Sequence, residues 1–195
     1  MPGITPSQTV GPYFHYGLTP GDYDFSEVFN NNLVTPDASG ERIRVEGRVI
    51  DGDGQGISDS MVEIWQADSA GRYAHPADRR ALPNASFKGF GRVATDARGA
   101  YSFETIRPGA VPGPNGAAQA PHIAMVVFSR GMLRHVYTRV YFSDEANNDA
   151  DPILALVPPE RRATLIAKRA ERNGDAVYTF DVRLQGDGET VFFDI

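Results

Sequence analysis

The stretch GRVIDGDGQGISDSMVEIWQADSAGRY at 47–73, taken up again by GRVATDARGAYSFETIRPG at 91–109, decides the fold. Just before and into it, Ile43, Val45, Gly47 and Val49 alternate with charged residues, DGDGQG follows, and the chain re-enters an apolar run at 61–65. Alternation with period two turns one face of a strand toward a core and the other away, and Gly with Asp supplies the turn between strands. Working outward, the same grammar predicts strands at 91–95, 101–106, 123–128, 136–142, 177–184 and 191–193, mostly parted by Gly, Pro, Asn or Asp.

Many short strands with turns between them predict a mainly β chain, a prealbumin-like β-sandwich. Pro2, Pro6, Pro12, Pro20 and Pro36 keep the first 37 residues from forming one regular element. They read as an extended arm at 1–37, with a short helix at 26–34 capped by Ser26, ahead of a sandwich domain at 38–195. One helix is expected in the C-terminal half, at 159–172, opened by Pro158-Pro159 and closed by Asn173-Gly174, with Leu165, Ile166 and Ala170 as its apolar stripe. The Pro-, Gly- and Ala-rich stretch 108–121 reads as a long loop.

A chain of 195 residues with 41% hydrophobic content suits one sizeable core. A formal charge of -6 argues against binding to a nucleic-acid backbone or an anionic membrane. Cysteine is absent, which excludes disulfides, thiolate metal sites and a thiol nucleophile. The N-terminus shows no leader-like apolar region and no run approaches a membrane span, so a cytoplasmic location is expected. Glu41, Asp51, Asp53 and Asp59 read as surface and turn carboxylates, and Trp65 as core.

By itself the opening pattern fits many sandwiches, binding modules included. Five further segments sharpen it: EIWQADSAGRYAHPAD at 63–78, TIRPGAVPG at 105–113, APHIAMVVF at 120–128, TRVYF at 138–142 and GETVFFDI at 188–195. In this order they resemble the intradiol ring-cleavage dioxygenases. TPSQTVGPYFHYGL at 5–18 narrows the resemblance to the protocatechuate 3,4-dioxygenases.

The resemblance implies a ferric ion held by two tyrosine phenolates and two histidine imidazoles, a donor set that suits hard Fe(III). Tyr73 stands at the first tyrosine position and His122 at the first histidine position. Val111 and Ala124 stand at the other two, and neither carries a donor atom. Gln119 stands where catalytic chains often have arginine. Tyr73, Val111, His122 and Ala124 therefore read as remnant ligand positions, with no metal held by this chain and no catalytic residue in it alone.

Losing two ligands while keeping the surrounding motifs is the pattern that the resemblance implies for an alpha subunit. Such a chain works beside a homologous beta subunit that carries the Fe(III), in an alpha-beta hetero-oligomer acting on protocatechuate and O2. Thr9, Gly11 and Tyr13 in the arm, with Arg130 in FSRG, then match positions that approach the substrate of the partner. A carboxylate held away from water needs such a cation; alone, Arg130 beside a turn glycine reads as a solvated charge. A self-sufficient enzyme with an iron site rearranged onto His75, His135, Tyr137 or Tyr141, and a noncatalytic binding module, are the alternatives.

Overall fold

Alternation sorts the strands into two layers. The computed structural model describes residues 17–26, 29–81 and 85–194. Its strands are β1 (Arg42–Ile50), β2 (Met61–Trp65), β3 (Phe90–Ala94), β4 (Ala100–Ile106), β5 (Val111–Pro112), β6 (Ala118–Gln119), β7 (His122–Phe128), β8 (Val136–Phe142), β9 (Ile166–Arg172), β10 (Asp175–Thr179) and β11 (Val182–Arg183). One layer runs β4-β1-β10-β9 and the other β3-β2-β7-β8, while the short β5 and β6 pair with each other.

β9 belongs to both layers. Ile166 and Ala167 pair with Tyr141 and Phe142 of β8, after which Lys168 to Arg172 pair with β10. The open side opposite is stitched by residues 30–33. Leu33 N–H donates to the Glu104 carbonyl, Glu104 N–H to Asn31, and Arg92 N–H to Asn30. Edge groups of β3 and β4 that would otherwise face water or another chain are thereby satisfied.

Val45, Val49, Phe103 and Tyr178 from one layer meet Val62, Ile64, Ile123, Met125, Val127, Val140 and Phe142 from the other in the main core. A second, smaller cluster lies on the outer face of β8, where Tyr141 packs with Ala120, Leu154, Val157 and Leu165. The mainly β sandwich expected from the sequence is the fold observed.

Several expectations shift. The helix expected at 159–172 is a 3-10 helix over Pro159–Leu165 only, and Ile166–Arg172 is strand β9. The reason lies in Asn173 and Gly174, both at positive φ (54° and 90°): they form the two-residue turn of a β9–β10 hairpin and not a helix C-cap. The 26–34 helix lies partly outside the described residues. Its described part, 29–34, is not helical, since Asn32 bridges Glu104 in parallel. The stretch 191–193 makes a single bridge, Phe193 to Tyr137, and Trp65 is half-buried on the outer face instead of in the core.

The strand expected at 177–184 is broken at Phe180 and Asp181. Phe180 N–H donates to the Glu46 carbonyl, its own carbonyl accepts from the Tyr101 hydroxyl, and Asp181 Oδ1 accepts from Arg48 N–H. This crossing needs glycine at 47, because a Cβ there would stand 1.7 Å from the Phe180 carbonyl oxygen. Gly47→Ala must push the backbone apart in the core and is expected to lower stability by about 2 to 3 kcal/mol. Denaturant unfolding checks this, and an unchanged midpoint would disprove the close approach.

Candidate functional site

His122 and Ala124, two of the positions read from the sequence as remnant ligands, lie on the outer face of the β3-β2-β7-β8 layer, and Val111 lies on β5. Along β7 the odd-numbered Ile123, Met125 and Val127 are buried in the core, so His122, Ala124, Val126 and Phe128 point outward. Register sets their neighbours: His122 lies opposite Tyr141, and Ala124 lies between Trp65 of β2 and Arg139 of β8.

Tyr73 reaches this face from the loop after β2. Asp68 shapes that loop by accepting from the backbone N–H groups of Ala70 and Arg72 at 2.9 Å and from Arg72 Nε. Asp78 then fixes Tyr73 through its backbone N–H at 2.9 Å. The phenol ring stacks on Trp65, centroids 6.0 Å apart. Burial pushes its ionisation above the ordinary tyrosine range, so the chain alone favours phenol over phenolate.

His122 is 5% exposed, with Nδ1 2.8 Å from the Ala120 carbonyl and its ring 5.8 Å from that of Tyr141. Burial lowers its pKa to about 4. Tyr141 donates to Asp151 Oδ1 at 3.0 Å, and burial raises its pKa well above the usual value. Asp151 is fully buried and also accepts from the N–H groups of Ala120, Ile153 and Leu154. Asp151 lies outside the motifs, and Arg139 lies within TRVYF with no role read for it there. Arg139 Nη1 donates to Gln119 Oε1 at 2.6 Å and its guanidinium lies 5.9 Å from the Phe193 ring.

These residues do not fit a ferric ion. Val111 is buried and pairs with Gln119, Ala124 faces Arg139, and Tyr141 is committed to Asp151. Among the described residues no group of three or more His, Asp or Glu side chains is placed to hold a metal. Of the residues named for a rearranged site, Tyr137 and Tyr141 share the outer face, with Tyr137 edge-on to Phe193. His75 is exposed, and the His135 ring lies 5.2 Å from that of Phe128. Phe128 and His122 end the same strand, about 20 Å apart at 3.3 Å per residue.

Arg130 sits at that far end, beyond Phe128. There a cleft of ≈ 1290 Å³ opens, lined by Arg48, Asp59, Tyr101, Arg130, Arg134 and His135 among others. The Arg130 side chain is 77% exposed and its Nε is 3.3 Å from Asp59 Oδ2. A solvated pair of this kind is weak, so the cation is free to take a better-placed anion. Beside it Leu133 is 92% exposed. Thr9, Gly11 and Tyr13 lie outside the described residues, though Leu18, just after them, lines the same cleft.

Comparison with known proteins adds a lineage. The profile of the dioxygenase family matches residues 9–186. The protocatechuate 3,4-dioxygenase alpha chain of Burkholderia cepacia is 51% identical over 98% of this chain and 97% of its own. The beta chain of the same organism is 37% identical over 89% of this chain and 75% of its own. Among solved structures, catechol 1,2-dioxygenase from an Acinetobacter species superposes with a TM-score of 0.65 at 23% identity, over 84% of this chain and 60% of that one.

The low pKa of His122 sets a pH dependence. Above pH 6.5 the imidazole is neutral in both states; between 6.5 and about 4 the unfolded chain takes up a proton that the native site refuses. Stability is therefore lost as pH falls through that window, by at most about 3 kcal/mol from this residue. Unfolding measured at pH 7 and pH 4 is expected to show a smaller loss for His122→Gln than for the wild type. Equal losses would contradict the burial of a neutral imidazole.

Proposed function

This chain belongs to the intradiol ring-cleavage dioxygenase family, and we propose that it is the alpha subunit of a protocatechuate 3,4-dioxygenase, completing the active site of an iron-bearing beta subunit. The overall reaction opens the ring of protocatechuate between its two hydroxyl-bearing carbons. Both atoms of O2 are incorporated and the product is 3-carboxy-cis,cis-muconate. A ferric ion held by the beta chain would supply the activation of the bound ring toward oxygen. This chain supplies orientation, exclusion of water and an interface.

The observation that supports this division is the separation along β7. At the His122 end two of the four positions, Val111 and Ala124, lack donors, His122 is buried, and Arg139 is tied to Gln119. At the Phe128 end an exposed arginine and an exposed leucine flank an open cleft. A substrate-binding role for Arg130 therefore serves a neighbour's metal, and Leu133 gives that neighbour an apolar foothold. The arm at 1–37, bearing Thr9, Gly11 and Tyr13, belongs in the reading as the segment that reaches the partner. Tyr13 supplies an aromatic wall with a hydroxyl, and Gly11 before Pro12 permits close backbone approach. Among the described residues no helix is long and apolar enough to cross a membrane, and the cytoplasm is the compartment we assign.

Two outcomes are expected. Purified alone, the chain holds no stoichiometric iron and does not consume oxygen with protocatechuate; co-expressed with a homologous beta chain it yields a complex that does both. Iron and oxygen uptake by the lone chain would sink the subunit reading. In that complex Arg130→Ala removes a charged contact to the substrate carboxylate, so KM for protocatechuate is expected to rise by about 10-fold to 100-fold. Unchanged steady-state kinetics would remove Arg130 from the pocket.

A further inference from the structure

The two donor-less positions have a neighbour in common. Arg139 is directly across β8 from Ala124, and cross-strand partners project from the same face. Its Nη1 donates to Gln119, and Gln119 is the strand partner of Val111, with its own amide N–H donating to the Pro112 carbonyl at 2.9 Å. The long arginine side chain thus lies against the space that a second imidazole would take. It is held by the residue paired to the position where a second phenol would arise.

Its charge acts on the groups that remain. The guanidinium favours ionisation of the Tyr73 and Tyr141 phenols and opposes protonation of His122. It is covered by the Phe193 ring, and its Nε is buried without a hydrogen-bond partner among the described residues.

We infer that Arg139 is the resident cation of this pocket, taking the place of the metal and barring it, so that restoring the missing donors alone does not restore iron binding. The inference rests on the subunit reading above, in which Tyr73, Val111, His122 and Ala124 descend from a ligand set. A fixed positive charge repels a trivalent ion in proportion to that ion's charge, and within a partly buried pocket solvent screens the repulsion poorly. The same charge is a reason for the pocket to stay ordered with no metal in it, since two phenols, a glutamine and an aromatic ring face it.

The test counts iron in the alpha-beta complex. The wild-type complex is expected to hold one iron per alpha-beta pair. Val111→Tyr combined with Ala124→His is expected to stay at one while Arg139 is present, and also with Arg139→Lys, which keeps the charge. Adding Arg139→Gln to those two substitutions is expected to raise the count to two and to strengthen the tyrosinate-to-iron absorption band. Should the glutamine series fail to assemble, Arg139→Met, uncharged and similar in length, replaces it. A second iron with Arg139 intact, or one iron only in an assembled complex lacking it, overturns the inference. Two irons per pair in the wild type would instead overturn the subunit reading.

Discussion

Because β7 is hydrogen-bonded on both sides, to β2 and to β8, it cannot slip by one residue without carrying Ile123, Met125 and Val127 out of the core. That constraint lays out the rest of the molecule. The inward residues join the two layers into one sandwich, and the outward ones are left as a grid whose rows are fixed by strand pairing. His122 with Tyr141 makes one row; Trp65, Ala124 and Arg139 make the next. Chemistry on this face is decided by which side chains occupy those nodes, since the backbone beneath them has no freedom to compensate.

Much of this was legible in the sequence. Period-two alternation located β1, β2, β3, β4, β7 and β8 to within a residue or so at each end, because each of them buries one face, while the two-residue β5 and β6 fell inside the stretch read as a long loop. The reading failed where burial is not alternate. In Ile166–Arg172 only Ala167 is fully buried, Ile166 is partly buried and the other five residues, four of them charged, are exposed, so the segment carries no strand signal of its own, and Pro158-Pro159 with Asn173-Gly174 imitated helix boundaries. Trp65 misled for the opposite reason, since a large apolar residue in a strand was taken as core when it forms the floor under Tyr73. The positions read as remnant ligands came from family motifs, whereas Asp151 lies outside them and Arg139, though within TRVYF, drew no role from them. Their importance comes from strand register and from a buried loop, neither of which a linear motif records.

The two ends of β7 differ in character. One, the His122 end, is closed by Gln119, Arg139 and Phe193, while exposed polar and apolar groups gather at the other end around Arg130 and Leu133. The beta chain of Burkholderia cepacia, 37% identical to this one, shows how far two such chains diverge while each remains in the family. Divergence of this kind costs little at the level of the fold, because the outer-face nodes contribute little to the sandwich core.

β9 carries a different consequence. One strand belongs to both layers, with its first residues hydrogen-bonded to β8 and the remainder to β10. The layers cannot part along their interface unless this strand also breaks its ladder, so separation and loss of secondary structure are tied into one event. Partial opening, in which one sheet persists while the other melts, is disfavoured. The sandwich is thus tied into a single cooperative foldon, which leaves little population in the half-open forms that proteases and aggregates capture.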